Sequence, residues 1–195
     1  MYRCLIANRG EIAVRIIRAC RELGIETVAI YAKGDEDSLH VGLADQAICI
    51  GEANPLDSYL NIPRIIGAAE VSGANAIHPG YGFLSESTSF AEAVEDNNIH
   101  FIGPNKTTME MMGDKITARQ TVDGAGVPVI PGSTDEVKSV EEIEELAKDI
   151  GFPVVLKAAS GGGGKGIRIV KEPEQLAKAF KEAKSEGQKY FNDDR

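Results

Sequence analysis

Cys4-Leu5-Ile6-Ala7-Asn8-Arg9-Gly10-Glu11-Ile12-Ala13 decides how the first half of this chain folds. Four apolar residues form a short buried strand, and a polar turn follows at once. From Glu11 the period changes. Ile12, Ile16, Ala19, Cys20 and Leu23 recur at helical spacing, so a helix is expected over 11–23, ended by Gly24. Asn8-Arg9-Gly10-Glu11 therefore stands where a first strand turns into a first helix, which is a favoured ligand position in open parallel sheets. Only Gly10 is present there, so the three-glycine dinucleotide fingerprint is missing and nicotinamide or flavin binding is not expected.

The same alternation continues outward. Strands are expected at 27–31, 47–50, 76–77 and 99–102. Helices are expected from Pro63 to about Val71 and around Phe90, Ala91 and Val94. Strand and helix in alternation predict a parallel sheet covered by helices, in a domain over 1–103. Residues 104–130 read as a linker of two short helices and a strand, with Met109, Met111 and Met112 filling a core. A second unit over 131–195 opens with a capping box, Ser139 and Glu142, before a helix. Val154 to Ala158 and Ile167 to Val170 read as antiparallel strands on either side of a glycine loop, and a last helix starts near Pro173. This second unit is small for an independent core and reads as incomplete.

The bulk numbers exclude several classes. Hydrophobic residues make up 43% of the 195 residues, enough to build a core. A net charge of -9 disfavours binding to a nucleic-acid backbone. No apolar run approaches the ~20 residues of a membrane span. The start has no secretory signal pattern, so the cytoplasm is the expected location. Cys4, Cys20 and Cys49 lie in apolar runs without paired spacing, which predicts three buried thiols in a reducing compartment. His40, His78 and His100 show no metal-ligand spacing, and no metal site is expected within the chain.

The strongest chemical signal is Ser160-Gly161-Gly162-Gly163-Gly164-Lys165-Gly166. Four successive glycines bury no side chain and cost backbone entropy. They let backbone N–H groups approach a polyphosphate, while Lys157 and Lys165 supply positive charge. The run is not a Walker A motif, because Lys165 is followed by Gly166 and a strand rather than by Ser or Thr and a helix. A surface hairpin without phosphate chemistry is the alternative.

These motifs together resemble the biotin carboxylase family of the ATP-grasp superfamily. The resemblance spans essentially the whole chain. It is carried by Ile6-Ala7-Asn8-Arg9-Gly10-Glu11-Ile12-Ala13, Ser58-Tyr59-Leu60-Asn61, and Ala76 through Glu86 with His78-Pro79-Gly80-Tyr81-Gly82 at its centre. Phe101-Ile102-Gly103-Pro104, Met112-Gly113-Asp114-Lys115, and Lys157-Ala158 with the glycine loop complete it. The resemblance implies an α/β fold, with a Rossmann-like pre-ATP-grasp domain followed by the first part of an ATP-grasp domain. It implies a ligase that uses ATP to activate bicarbonate as carboxyphosphate and passes the carboxyl group to a ring nitrogen of biotin. Implied partners are a biotin carboxyl carrier protein or domain, a carboxyltransferase, and a second copy in a homodimer.

Site residues follow from the resemblance. Lys115, Lys157 and Gly161, Gly162, Gly163, Gly164, Lys165 and Gly166 would hold the phosphates of ATP. His78, Tyr81, Gly82 and Glu86 would line the cleft around biotin and bicarbonate. Arg15, Arg18 and Glu22 would lie in the dimer contact. The family's magnesium-binding glutamates, catalytic base and bicarbonate-holding arginines belong to a later region whose motifs are not in this sequence, so the 195 residues alone are not expected to carboxylate biotin. Two other readings stand beside this one: another ATP-grasp ligase, such as a carbamoyl-phosphate synthetase or purine-pathway carboxylase, and a dimerising module without chemistry. The final acceptor (acetyl-CoA, propionyl-CoA or pyruvate) is not encoded in these motifs; fatty acid biosynthesis follows only if it is acetyl-CoA.

Overall fold

The computed structural model describes residues 2–160 and 165–195. The chain divides into two compact units, 1–109 and 110–195.

In the first unit, β1 (Arg3–Ile6), β2 (Glu26–Ala32), β3 (Gln46–Gly51), β4 (Ala76–His78) and β5 (His100–Phe101) form a parallel sheet. The strand order is β3-β2-β1-β4-β5. β1 is apolar on both faces because both faces are covered. Leu5 enters one core cluster with Val28, Ile30, Ile77 and Phe90, whereas Cys4 and Ile6 enter the other with Ile16, Ile17 and Cys20. This is the two-residue alternation of a strand serving two helical layers. α1 (Gly10–Glu22) and α2 (Leu39–Leu43) cover one face. α3 (Ile62–Ser72) and α4 (Thr88–Asp96) cover the other. Asn61 and Ser87 start α3 and α4 by accepting the N–H of Arg64 (3.2 Å) and Phe90 (3.2 Å).

α5 (Lys106–Gly113) runs across the division between the units. The second unit contains α6 (Lys115–Gly124), α7 (Val140–Ile150), β6 (Val154–Lys157), β7 (Ile167–Val170) and α8 (Leu176–Phe191). β6 and β7 are antiparallel, in register from Val154↔Val170 to Lys157↔Ile167. Ile143, Val170, Leu176 and Ala179 form a small core with Phe152, Val154 and Leu156 packed against it.

Five expectations need correction. No strand forms in 104–130 among the described residues, because Pro128 and Pro131 remove two backbone donors from the apolar run; Val127 and Ile130 are exposed. Leu23 falls one residue past the end of α1 and is 74% exposed. Ala19 also lies outward, and Ala13, Val14 and Ile17 take its place in the core. Met109 is buried, but Met111 and Met112 are exposed, since α5 offers only one side to the first unit's core. Cys49 is exposed because β3 is an edge strand with a thinner cover; Cys4 and Cys20 are buried. Burial and the neighbouring Cys20 push the Cys4 thiol up to about 12.

Phe90 is fully buried and meets Phe101 edge-on, with ring centroids 5.9 Å apart. Phe90→Ala is expected to lower the stability of the first unit by about 3–5 kcal/mol, read from urea unfolding. A loss below about 1 kcal/mol would contradict this account of the core.

Candidate functional site: two strand-end loops and a glycine-linked hairpin

The chain leaves β1 toward β2 on one side and reaches β4 on the other, so the connections after β1 and β4 diverge. A crevice at the carboxyl ends of the strands is the expected ligand position at such a reversal. The residues found there are Asn8 to Glu11 and Pro79 to Glu86.

Asn8 fastens the two loops together. It is 3% exposed. Its Nδ2 donates to the carbonyl oxygens of Pro79 and Tyr81, both at 2.8 Å. Its Oδ1 accepts the N–H of Arg9 at 2.9 Å. One rung below, Ala7 N–H donates to His78 O at 2.9 Å. Gly80 has φ +67°, and a Cβ there would lie 2.8 Å from Asn8 Nδ2. The position therefore demands glycine twice over, for its backbone angle and for space.

His78 is half-buried, and its Nδ1 accepts the N–H of Gly80 at 3.0 Å. That bond places the proton of the neutral ring on Nε2. Burial lowers the pKa of His78 from its ordinary value, so the ring is neutral near pH 7. Tyr81 is exposed and its hydroxyl donates to Glu11 Oε1; that bond raises the phenol pKa. Glu86 is exposed, next to the Ser87 cap of α4.

A second cluster borders the loops. The Arg9 guanidinium lies 5.2 Å from the Tyr59 ring centroid and 5.8 Å from that of Phe83. Tyr59 and Phe83 stack on each other at 5.2 Å and 12°. Arg9 Nη1 pairs with Asp35 Oδ2 at 3.2 Å. The Tyr59 hydroxyl donates to the same oxygen at 2.7 Å and accepts Ala32 N–H at 3.0 Å. Burial, then the Asp35 bond, raise the Tyr59 pKa. Phe83 has φ +43°. Such a conformation costs a non-glycine residue about 1–3 kcal/mol and persists where the surroundings hold it.

Arg15, Arg18 and Glu22 lie exposed on α1. They line a groove of about 830 Å³ with Ser38, Leu39 and His40. His40 is 1% exposed, donates from Nε2 to Ile30 O at 3.2 Å, and has its pKa lowered by burial.

The second unit gathers the phosphate candidates at one end of its hairpin. Lys157 is the last residue of β6 and is exposed. Ala158 N–H donates to Gly166 O at 2.9 Å, joining the two sides just beyond the paired strands. Gly166 has φ +69°, and a Cβ there would come 2.8 Å from Ala158 Cβ. Its N–H donates to Glu186 Oε2 at 2.8 Å. Arg168 holds that glutamate (Nη2 to Oε1, 2.6 Å) and lowers its pKa. Asp114 caps α6 through the N–H groups of Ile116 and Thr117, at 3.1 and 2.9 Å. The next residue, Lys115, reaches Ala159 O with Nζ at 3.2 Å. Lys115 is thus brought close beyond the end of β6, which Lys157 forms. Lys165 Nζ lies 4.2 Å from the Tyr190 ring centroid. Gly161 to Gly164 lie outside the described residues.

The sequence pattern did not single out Asn8, Arg9, Tyr59 and Phe83 as a linked set, nor Glu186 and Arg168. A polar Asn8 directly after a buried strand was a usable signal, because a buried amide must find partners. The other contacts join residues far apart in sequence.

The comparisons with known proteins give the family and the fold. Residues 1–109 match the family model "Biotin carboxylase, N-terminal domain". Residues 114–195 match "Carbamoyl-phosphate synthase L chain, ATP binding domain". The chain belongs to the biotin carboxylase family. It is 53% identical over 97% of its length to biotin carboxylase 1 of Bacillus subtilis, covering 42% of that protein. The crystal structure of a Campylobacter jejuni biotin carboxylase–ATP complex superposes with a TM-score of 0.91, at 50% identity over 98% of this chain and 43% of that one. The biotin carboxylase domain dimer of Hydrogenobacter thermophilus 2-oxoglutarate carboxylase, in complex with MgADP and bicarbonate, gives 0.87 at 51% identity, over 98% of this chain and 42% of that one. The chain therefore spans well under half the length of these relatives. The fold, a parallel Rossmann-like sheet followed by the start of an ATP-grasp domain, is that of the family.

Two predictions follow from the geometry. Gly80→Ala is expected to destabilise the first unit by more than about 1 kcal/mol, since both the backbone angle and Asn8 oppose a Cβ; an unchanged unfolding midpoint would contradict the clasp. Proton binding is the second. His40 and His78 have folded pKa values below the ordinary 6.5. Below 6.5 the unfolded chain therefore binds more protons. Their contribution to stability is complete above that pH and is lost as pH falls through the lower folded values. An NMR titration of the two rings should give midpoints below 6.5, and a midpoint above it would refute the burial argument.

Proposed function

We propose that this chain is the amino-terminal part of an enzyme that carboxylates biotin at the expense of ATP. The observation that carries the proposal is the convergence of Lys115 on the end of β6, where Lys157, Ser160 and the glycine run follow one another. ATP transfers its γ-phosphoryl group to bicarbonate, giving ADP and carboxyphosphate. The carboxyl group then passes to a ring nitrogen of biotin and inorganic phosphate leaves. Positioning and charge neutralisation are the main demands of the first step. Lys115, Lys157 and Lys165 supply cations, and N–H donation is assigned to the glycine run 161–164, since Gly166 N–H is taken by Glu186.

In the first unit, His78, Tyr81, Gly82 and Glu86 border the biotin and bicarbonate region. A neutral His78 with its proton on Nε2 can donate a hydrogen bond there without adding charge. Among the described residues no group of three or more His, Cys, Asp or Glu could hold a metal ion, so no step is assigned to magnesium through them. Arg15, Arg18 and Glu22, along the groove on α1, form part of a homodimer contact. The carboxylated biotin is carried on a carrier protein or domain to a carboxyltransferase. The enzyme acts in the cytoplasm; no helix among the described residues is long and apolar enough to cross a membrane.

The test is ATP hydrolysis dependent on both biotin and bicarbonate, measured on the protein at its full natural length. Lys115→Met and Lys157→Met should each weaken ATP binding at least tenfold while leaving the unfolding midpoint of the first unit unchanged. ATP binding within twofold of the unsubstituted protein in both variants would overturn the phosphate assignment.

A further inference from the structure

Arg9 directly precedes α1 yet caps nothing with its side chain. Its guanidinium instead turns onto the stacked rings of Tyr59 and Phe83 and pairs with Asp35. This single group thereby joins four connections at the carboxyl ends of the sheet. Arg9 follows β1, Asp35 follows β2, Tyr59 lies between β3 and α3, and Phe83 lies between β4 and α4. Tyr59 cannot drift, because it is fully buried and its hydroxyl is held by Asp35 and by Ala32 N–H. Phe83 is half-buried and packs against the first unit's core. It sits between Gly82 and Leu84, at a left-handed φ of +43°, with its ring against Tyr59 and Arg9.

Asn8, the residue before, grips the same loop at Pro79 O and Tyr81 O. Adjacent residues thus hold the loop on either side of Gly82: Asn8 by the carbonyls of Pro79 and Tyr81, Arg9 by the ring of Phe83. We propose that Asn8 and Arg9 act as a two-pronged clasp that positions the Tyr81-Gly82 segment for its ligand, with Tyr59 as the fixed anvil for Phe83. The inference rests on the biotin carboxylation reading for the identity of that ligand, but the clasp itself is a statement about the first unit alone. Neither residue is a catalytic residue; each acts through the loop. Lysine at position 9 would keep the charge and the pairing to Asp35, while losing the planar group that lies over two rings at once.

The experiment uses the protein at its full natural length, with Arg9→Met, Arg9→Lys, Phe83→Ala and the Arg9→Met/Phe83→Ala pair. Arg9→Met and Phe83→Ala should each lower kcat/KM for biotin at least tenfold, with KM for ATP within twofold of the unsubstituted protein. The pair should be no worse than the poorer single variant, because both remove the same prong, and Arg9→Lys should recover part of the loss. Biotin kcat/KM within twofold of the unsubstituted value in Arg9→Met would overturn the proposal. Equal losses toward biotin and ATP, with a lowered unfolding midpoint, would also overturn it, by showing a general structural role.

A second readout separates this inference from the reading beneath it. In amide NMR spectra of the chain, Arg9→Met should shift Gly80, Gly82 and Leu84 while leaving Ile143 and Val170 in place. If the unsubstituted protein shows no biotin-dependent turnover, the functional reading fails, and those shifts still decide the clasp. Unmoved Gly80 and Gly82 signals would refute it.

Discussion

A parallel sheet satisfies its backbone groups strand against strand until neighbouring connections part company. At that point the groups at the strand ends need other partners. In this chain the parting lies between β1 and β4, and the Asn8 side chain supplies the partners. Its amide takes two carbonyls of the β4 loop and its oxygen takes the next N–H of its own loop. A buried polar group left without partners would cost about 1–3 kcal/mol, so the bonds and the burial require each other. Gly80 is glycine because Asn8 is there, and the position of Tyr81 follows from both.

The second unit solves a different problem. A run of glycines between two strands has no side chains to fix its ends, so the ends must be held from outside. The two ends are joined by the bond from Ala158 N–H to Gly166 O. The far end is held again by Glu186, which accepts Gly166 N–H while paired with Arg168. Ser160, at the near end, donates to Asp193 Oδ2, and Asp193 is in turn paired with Arg195. Fixed ends on either side of the glycine run fit the phosphate role proposed for it.

The order of elements was readable from the sequence because each depends on local pattern. Apolar pairs and triplets gave the strands, and helical spacing, with Pro63 at the start of α3, gave the helices. What failed locally failed for local reasons of a finer kind: prolines at 128 and 131, a helix ending one residue before Leu23, and an edge strand that leaves Cys49 in the open. The candidate site was half readable. His78 to Gly82 and the glycine run announce themselves by composition. Their supports do not, because Asn8 meets Tyr81 across 73 positions and Gly166 meets Glu186 across 20. Such pairings are properties of the folded topology, and no window on the sequence contains both partners.

In the reaction we propose, bicarbonate and not water attacks ATP in the protein to which this chain belongs. If so, one oxygen of bicarbonate ends in the released phosphate, because carboxyphosphate breaks between its carboxyl carbon and the bridging oxygen. The most direct measurement is turnover of the full-length protein with ATP, biotin and bicarbonate labelled with heavy oxygen, followed by mass analysis of the inorganic phosphate. The account predicts label in the phosphate. Steady turnover with unlabelled phosphate would mean attack by water, and would contradict it.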